Sequence, residues 1–250
     1  MCLVAFAFRA HPDYRLVLAA NRDEFHGRPA AAMHWWADYP SLLGGRDLKA
    51  GGTWLAISES GRFGAVTNYR EDLETQAGPR SRGELVPGFV AGADSPLAYC
   101  RAVDPAGFAG FSLLAAAGDA MAYVSNRGDA ARSLVPGVYA LSNASLDTPW
   151  TKVVRSKRAI ESMLSQKTID VEALFRLLAD REPAKTDDVG TGLAPELARA
   201  VSAPFIVTPD YGTRCSTVLL IGASGAAEIH ERRFDSAGDL AGETRFEFST

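Results

Sequence analysis

A chain of 250 residues with 47% hydrophobic and 22% charged content is long enough for one large domain with a buried core, and this balance excludes a disordered chain. The 26 basic residues nearly offset the 30 acidic ones, leaving a formal charge of -4 and no concentrated basic surface for nucleic acid. No apolar run reaches the length of a membrane span, and the widely spaced Cys2, Cys100 and Cys215 argue against a disulfide framework or a cysteine-type zinc site, so the expectation is a cytoplasmic protein with no stable membrane insertion.

The chain opens with Met1, then Cys2, then an apolar run to Phe8. A small second residue commonly allows removal of the initiator, which would leave Cys2 with both a thiol and a free α-amine. Such an amine titrates near about 7.7 to 8.0 in the reference state, so part of it is unprotonated at neutral pH and can take the proton of a nucleophile. A cysteine near a terminus is more often just a small apolar residue starting a buried strand, so the rest of the chain has to decide.

Residues 2–8 and 15–20 predict a hairpin that returns beside Cys2 and ends in the polar run Asn21, Arg22, Asp23, Glu24. Residues 25–48, rich in Pro, Gly and aromatics, predict a long loop of the kind that often binds ligands. A second hairpin follows over 51–57 and 62–69, ending in Asn68, and a polar loop over 71–83. Short or kinked helices are predicted over 84–92 and 95–103, a third hairpin over 110–115 and 120–125, and a strand over 137–143 that ends in Asn143. Trp150, Val153, Val154, Ile160 and Leu164 recur at helical spacing behind an Asp147-Thr148-Pro149 start; a helix over 171–180, a polar connector over 182–192 and a short helix over 195–200 follow. A hairpin over 216–221 and 227–234 and an edge strand over 244–248 complete the chain. Strands, helices and strands in this order predict a single α+β domain over residues 1–250, with two antiparallel sheets stacked and helices outside.

Several blocks carry a family signature: Met1-Cys2, Asn21-Arg22-Asp23-Glu24, Gly51-Gly52-Thr53-Trp54, Thr67-Asn68-Tyr69-Arg70-Glu71, Leu141-Ser142-Asn143, and Tyr211 through Thr217. They resemble the NRDE family, also named for transport and Golgi organisation, over nearly the whole chain and in order. That family is similar to the N-terminal nucleophile hydrolases, which implies a four-layer αββα sandwich. Within that group the arrangement resembles the penicillin V acylases and bile salt hydrolases, where an N-terminal cysteine attacks an amide, an early Arg and Asp surround it, and a late Arg completes the site. Arg22 and Asp23 fit the early pair, Asn21 is the alternative occupant of the arginine place because the local spacing differs, and Arg214 is the late arginine.

Acyl transfer needs a nucleophile, a proton acceptor and donors where charge develops on the carbonyl oxygen. Cys2 supplies the first two, Arg22 or Arg214 would favour thiolate, Asp23 would orient the terminal ammonium, and Asn68 or Asn143 would donate to the oxyanion. Taken singly, each has a plainer reading: asparagine ends strands as a turn former, Arg22 with Asp23 or Glu24 is an ordinary ion pair, and Cys100 and Cys215 are core residues. The four histidines lack ligand spacing, so no metal is expected. Haem as a ligand stays open, in a pocket of Phe25, Trp35 and Trp36 with His26 or His34. The expectation is a Cys2 hydrolase acting on a small or lipid-like acyl amide or ester. The alternative is a non-catalytic carrier of haem, acyl-CoA or lipid on the same scaffold. Nothing in the sequence specifies oligomeric state.

Overall fold

In the computed structural model, which describes residues 2–70, 80–185 and 195–250, the opening apolar run is β1 (Cys2–His11), folded back as β2 (Tyr14–Phe25). Both strands alternate between two apolar environments, which is why they read as continuous hydrophobic runs. The chain continues through β3 (Ala30–Trp35), β4 (Leu42–Asp47), β5 (Leu55–Ser58) and β6 (Phe63–Asn68), then the short helices α1 (Leu85–Val90) and α2 (Pro96–Ala102). Next come β7 (Phe111–Ala117), β8 (Ala120–Ser125), the brief β9 (Arg132–Ser133) and β10 (Gly137–Leu141). Helices α3 (Thr151–Met163), α4 (Val171–Leu178) and α5 (Pro195–Ala200) precede β11 (Tyr211–Gly222), β12 (Ala226–Phe234) and β13 (Leu240–Ser249).

Two antiparallel sheets result, one ordered β10-β1-β2-β11-β12-β13 and the other running from β3 to β9 in sequence order. Alternation along the strands sorts the side chains into layers. Val4, Phe6, Leu18, Leu219 and Ile229 of the first sheet face Leu43, Ile57, Phe63 and Leu114 of the second, forming the core between the sheets. The opposite face of the first sheet, with Ala5, Val17, Ala19 and Val218, packs under Val153 and Ile160 of α3 and Leu174 and Leu178 of α4. Val66, Leu113 and Ala115 on the outer face of the second sheet pack against Val86 and Phe89 of α1 and Cys100 of α2. The layering is the expected αββα sandwich.

One expectation fails: residues 25–48 are not a structureless loop, because β3 and β4 lie within them as the edge of the second sheet. The register of this pair shifts between Ala31 and His34, so the alternation that marks a strand in sequence is broken. Its glycines mislead for a second reason: a Cβ on Gly44 would meet the Leu55 carbonyl at 2.7 Å, so the residue permits close strand approach instead of ending the strand. The last strand is also longer than predicted, and β11 begins at Tyr211, well ahead of Ser216. Of the polar loop over 71–83, residues 71–79 lie outside the described residues; Arg82–Glu84 form a single helical turn capped by Ser81. Most of the connector over 182–192 also lies outside them.

Candidate active site

The register of the first sheet brings the distant blocks together. Cys2 on β1 is paired with Arg22 on β2, and Arg22 is in turn paired with Cys215 on β11. At this end of the sandwich the sheets are stitched across. Thr67 Oγ1 donates to the Ser142 carbonyl at 2.8 Å, Ser142 Oγ to the Cys2 carbonyl at 2.9 Å, and Asn143 Nδ2 to the Asn68 carbonyl at 2.9 Å. The strand ends flagged by asparagines thus meet at the start of β1.

Cys2, Arg22, Asp23 and Asn68 line one open cleft with Asp47, Trp54 and Arg82. It encloses about 110 Å³, less than the ~150 Å³ cavity that holds a benzene ring. Gly52 shapes its wall: a Cβ there would collide with the Gly83 carbonyl, which accepts from the Thr53 N–H at 3.0 Å. Arg22 lies over the Trp54 ring at 4.3 Å, with Glu24 and Asp47 carboxylates each 3.9 Å from its Nη2.

Burial dominates the electrostatics. It pushes the Cys2 thiol above its usual range, and the Asp23 carboxylate adds to this, while the Asp23 backbone N–H and Arg22 oppose it. Burial likewise raises Asp23, against Lys152 and the Thr213 hydroxyl, which donates to Oδ1 at 2.7 Å. Asp47 goes the other way: burial opposes its charge, yet Arg28 at 2.6 Å and the Ala50 and Lys49 backbone N–H groups hold its carboxyl below the usual range. Burial thus works against the thiolate, the form that attacks a carbonyl, and a base beside the thiol would offset it.

Other candidates lie elsewhere. Asn21 points to the helix layer, where Nδ2 donates to the Leu178 and Pro204 carbonyls at 2.9 Å each and Oδ1 accepts from Ser216 at 2.6 Å. These three bonds commit it as a buried structural amide. Arg214 sits at a bulge between Thr213 and Cys215, and its Nη1 donates to the Phe25 and His26 carbonyls at 2.9 Å, pinning the turn after β2. Asn143 is buried just behind the cleft, one residue beyond the Ser142 that holds the Cys2 carbonyl.

The aromatic pocket pictured for haem is not formed. Trp35 packs on Phe246 and Phe248 between the sheets, Trp36 is buried in the outer layer with Nε1 on the Gly44 carbonyl, and Phe25 stands exposed against Tyr211. His26 and His34 are bonded to the carbonyls of Thr208 and Ala32. These five side chains do not fit a haem.

Asp47 carries no strand signal in the sequence because it ends β4 inside the stretch expected to be a loop, and Trp54, Arg82 and Thr213 are further residues of the site beyond the expected ones. The Gly52 to Trp54 and Tyr211 to Thr217 blocks were the available signals for Trp54 and Thr213.

A family model described as Transport and Golgi organisation 2 matches residues 1–236. The human Transport and Golgi organization protein 2 homolog is 38% identical over 258 aligned residues, covering 93% of this chain and 92% of that protein. Among solved structures, a C2A mutant of a conjugated bile acid hydrolase from Clostridium perfringens superposes with a TM-score of 0.55 at 10% identity, covering 100% of this chain and 97% of its own. A Caenorhabditis elegans ortholog of N-acylethanolamine-hydrolyzing acid amidase gives 0.52 at 10% identity, covering 88% and 92%. At this identity the two structures establish the shared fold. No helix among the described residues is long and apolar enough to cross a membrane.

Proposed function

The chain belongs to the Transport and Golgi organisation 2 family, and from that premise we propose that it is a hydrolase of acyl amides or esters whose nucleophile is Cys2 after removal of Met1. The reading is carried by one observation: Cys2, Arg22, Asp23 and Asn68, from three strands of two sheets, line a single cleft. Burial works against the thiolate, and the α-amine of a processed Cys2 would be a base on the same residue. The names of the two structural neighbours, an amidase and a bile acid hydrolase, fit the same chemistry.

In this scheme the Cys2 thiol gives its proton to its own α-amine as sulfur bonds to the carbonyl carbon. Asp23 holds the resulting ammonium, and amide donors near Asn68 and Asn143 receive the oxyanion. Collapse breaks the bond to the amine or alcohol, which leaves with that proton. Water then adds to the thioester, releases the acid and restores the thiol. The small cleft suits the scissile group of a small or lipid-like substrate with its tail outside. Three buried free cysteines suit a reducing, cytoplasmic setting.

Intact-mass analysis of the purified protein, before and after incubation with straight-chain acyl p-nitroanilides and esters, tests this. The expected result is loss of Met1, an acyl adduct on Cys2, and no turnover by Cys2→Ala. Retained Met1 overturns the mechanism. Ligand binding that survives in Cys2→Ala, with no turnover by the wild type, would instead make the protein a carrier of haem, acyl-CoA or lipid.

A further inference from the structure

On the face between the sheets, Cys2, Arg22, Cys215 and Arg233 stand in register across β1, β2, β11 and β12. The next residue across, on β13, is Gly242, and a Cβ there would collide with Arg233 Nη2. The row therefore alternates thiol and guanidinium and closes with a residue that leaves the last guanidinium room.

Beyond Arg22 and Trp54, which form a shared wall with the Cys2 cleft, lies a second cavity of about 200 Å³. Arg22, Arg214 and Arg233 line it against one acid among the described residues, Glu231. Arg22 is 5% exposed, and its Nη1 has no hydrogen-bond partner among the described residues. The Arg233 side chain is 42% exposed, but its Nε is buried without a partner among the described residues, with Glu231 at 4.0 Å. Arg214 is committed by Nη1 to backbone carbonyls. Glu231 is also occupied: its Oε1 accepts from the Met33 N–H at 2.8 Å. Two buried guanidinium N–H groups left unmatched in one row are costly unless something accepts from them, and the fork of an arginine is suited to an oxoanion.

We infer that this cavity is an oxoanion subsite, in which Arg22 and Arg233 hold a carboxylate or phosphate group of the substrate cleaved at Cys2. Its link to cleavage rests on the hydrolase reading above; the anion site itself does not. Two strand spacings separate Cys2 from the middle of the Arg22–Arg233 pair, about 10 Å. The anion accordingly lies roughly nine extended-chain atoms from the scissile carbonyl. The substrate class is an acyl amide or ester with an oxoanion at one end.

The test uses two series of matched amides, with the terminal group on the acyl chain or on the amine, and with that group methyl, carboxylate or phosphonate about nine chain atoms from the carbonyl. Binding is measured on Cys2→Ala by calorimetry and turnover on the wild type. In one series the anionic members bind roughly 10- to 100-fold tighter than the methyl member, the range of a charge-assisted hydrogen bond, and the margin shrinks with added salt. The ranking of carboxylate against phosphonate identifies which oxoanion is native. Arg233→Ala, and Gly242→Ala which crowds Arg233 without removing charge, both bring the anionic-to-methyl ratio toward one; thermal melting verifies that each variant is folded. Equal binding of all members in both series overturns the subsite. Tighter anion binding with no turnover leaves the subsite standing and removes the hydrolase reading, whereas turnover without discrimination does the reverse.

Discussion

Two cross-strand rows on β1, β2, β11 and β12 share one face of one sheet and differ in chemistry. Phe6, Leu18, Leu219 and Ile229 form the first, each 0% exposed, in the centre of the sandwich. Cys2, Arg22, Cys215 and Arg233 form the second, at the sandwich end, with Val4, Ala20, Thr217 and Glu231 as an intermediate row. Polarity thus rises in steps toward one mouth of the sandwich. The central row supplies the register: slipping β2 by one residue would move Leu18 out of the core and carry Arg22 to the helix layer. The apolar row is what aims the polar one.

That relation is broken most severely from the centre. Phe6→Ala should cost about 3–5 kcal/mol in urea unfolding, because it leaves a cavity in the packed row as well as losing burial. A folded variant with unchanged stability would mean that the inter-sheet core does not hold the register. At the polar end, Asn143→Ala should cost about 3 kcal/mol of transition-state stabilisation, read as a fall in kcat. Its neighbour in kind, Asn21→Leu, should instead cost about 3 kcal/mol of folding stability, since it strands the Ser216 hydroxyl and the Leu178 and Pro204 carbonyls. If the two asparagine variants exchange these signatures, the division between helix side and inter-sheet side is wrong.

A graded effect belongs to the intermediate row. Burial raises the Glu231 carboxyl above its ordinary 4.5, so the folded state binds its proton more tightly than the unfolded state does. Its contribution to stability is therefore complete below that value and is lost as pH rises through the folded pKa. Glu231→Gln should flatten the corresponding part of the stability-against-pH curve; an unchanged slope would count against the buried acid. The smallest change is expected one residue beyond. Arg232 points outward to Glu172 and Glu243 and lies over Phe175, and Arg232→Ala should cost about 1 kcal/mol or less in thermal unfolding. A larger loss would show that the outer face also helps set the register.

The hairpins of β1 with β2 and β7 with β8 were legible because buried runs separated by turn residues have few other ways to fold. The pair β3 and β4 was not, since a bulge hides the period and glycines needed for close approach look like loop residues. The same physics divides the site. Cys2, Arg22 and Asp23 were legible as polar residues at the start or finish of apolar strands, and Asn21 reads the same way in sequence; only its bonds to Leu178, Pro204 and Ser216 show its amide committed to structure. Arg214 was singled out from its block, but the bulge beside it sends its side chain to the turn after β2. Arg233 drew no notice, being one of several charged residues on a strand that alternates.

The amino-acid sequence alone decided the layered class, the antiparallel hairpins and the family, because burial patterns and motif blocks are local properties that survive without coordinates. Which polar residues meet was decided only by tertiary structure. Pairing register and a single bulge choose the face of each side chain, and both depend on strands that lie nearly two hundred residues apart, such as β2 and β11.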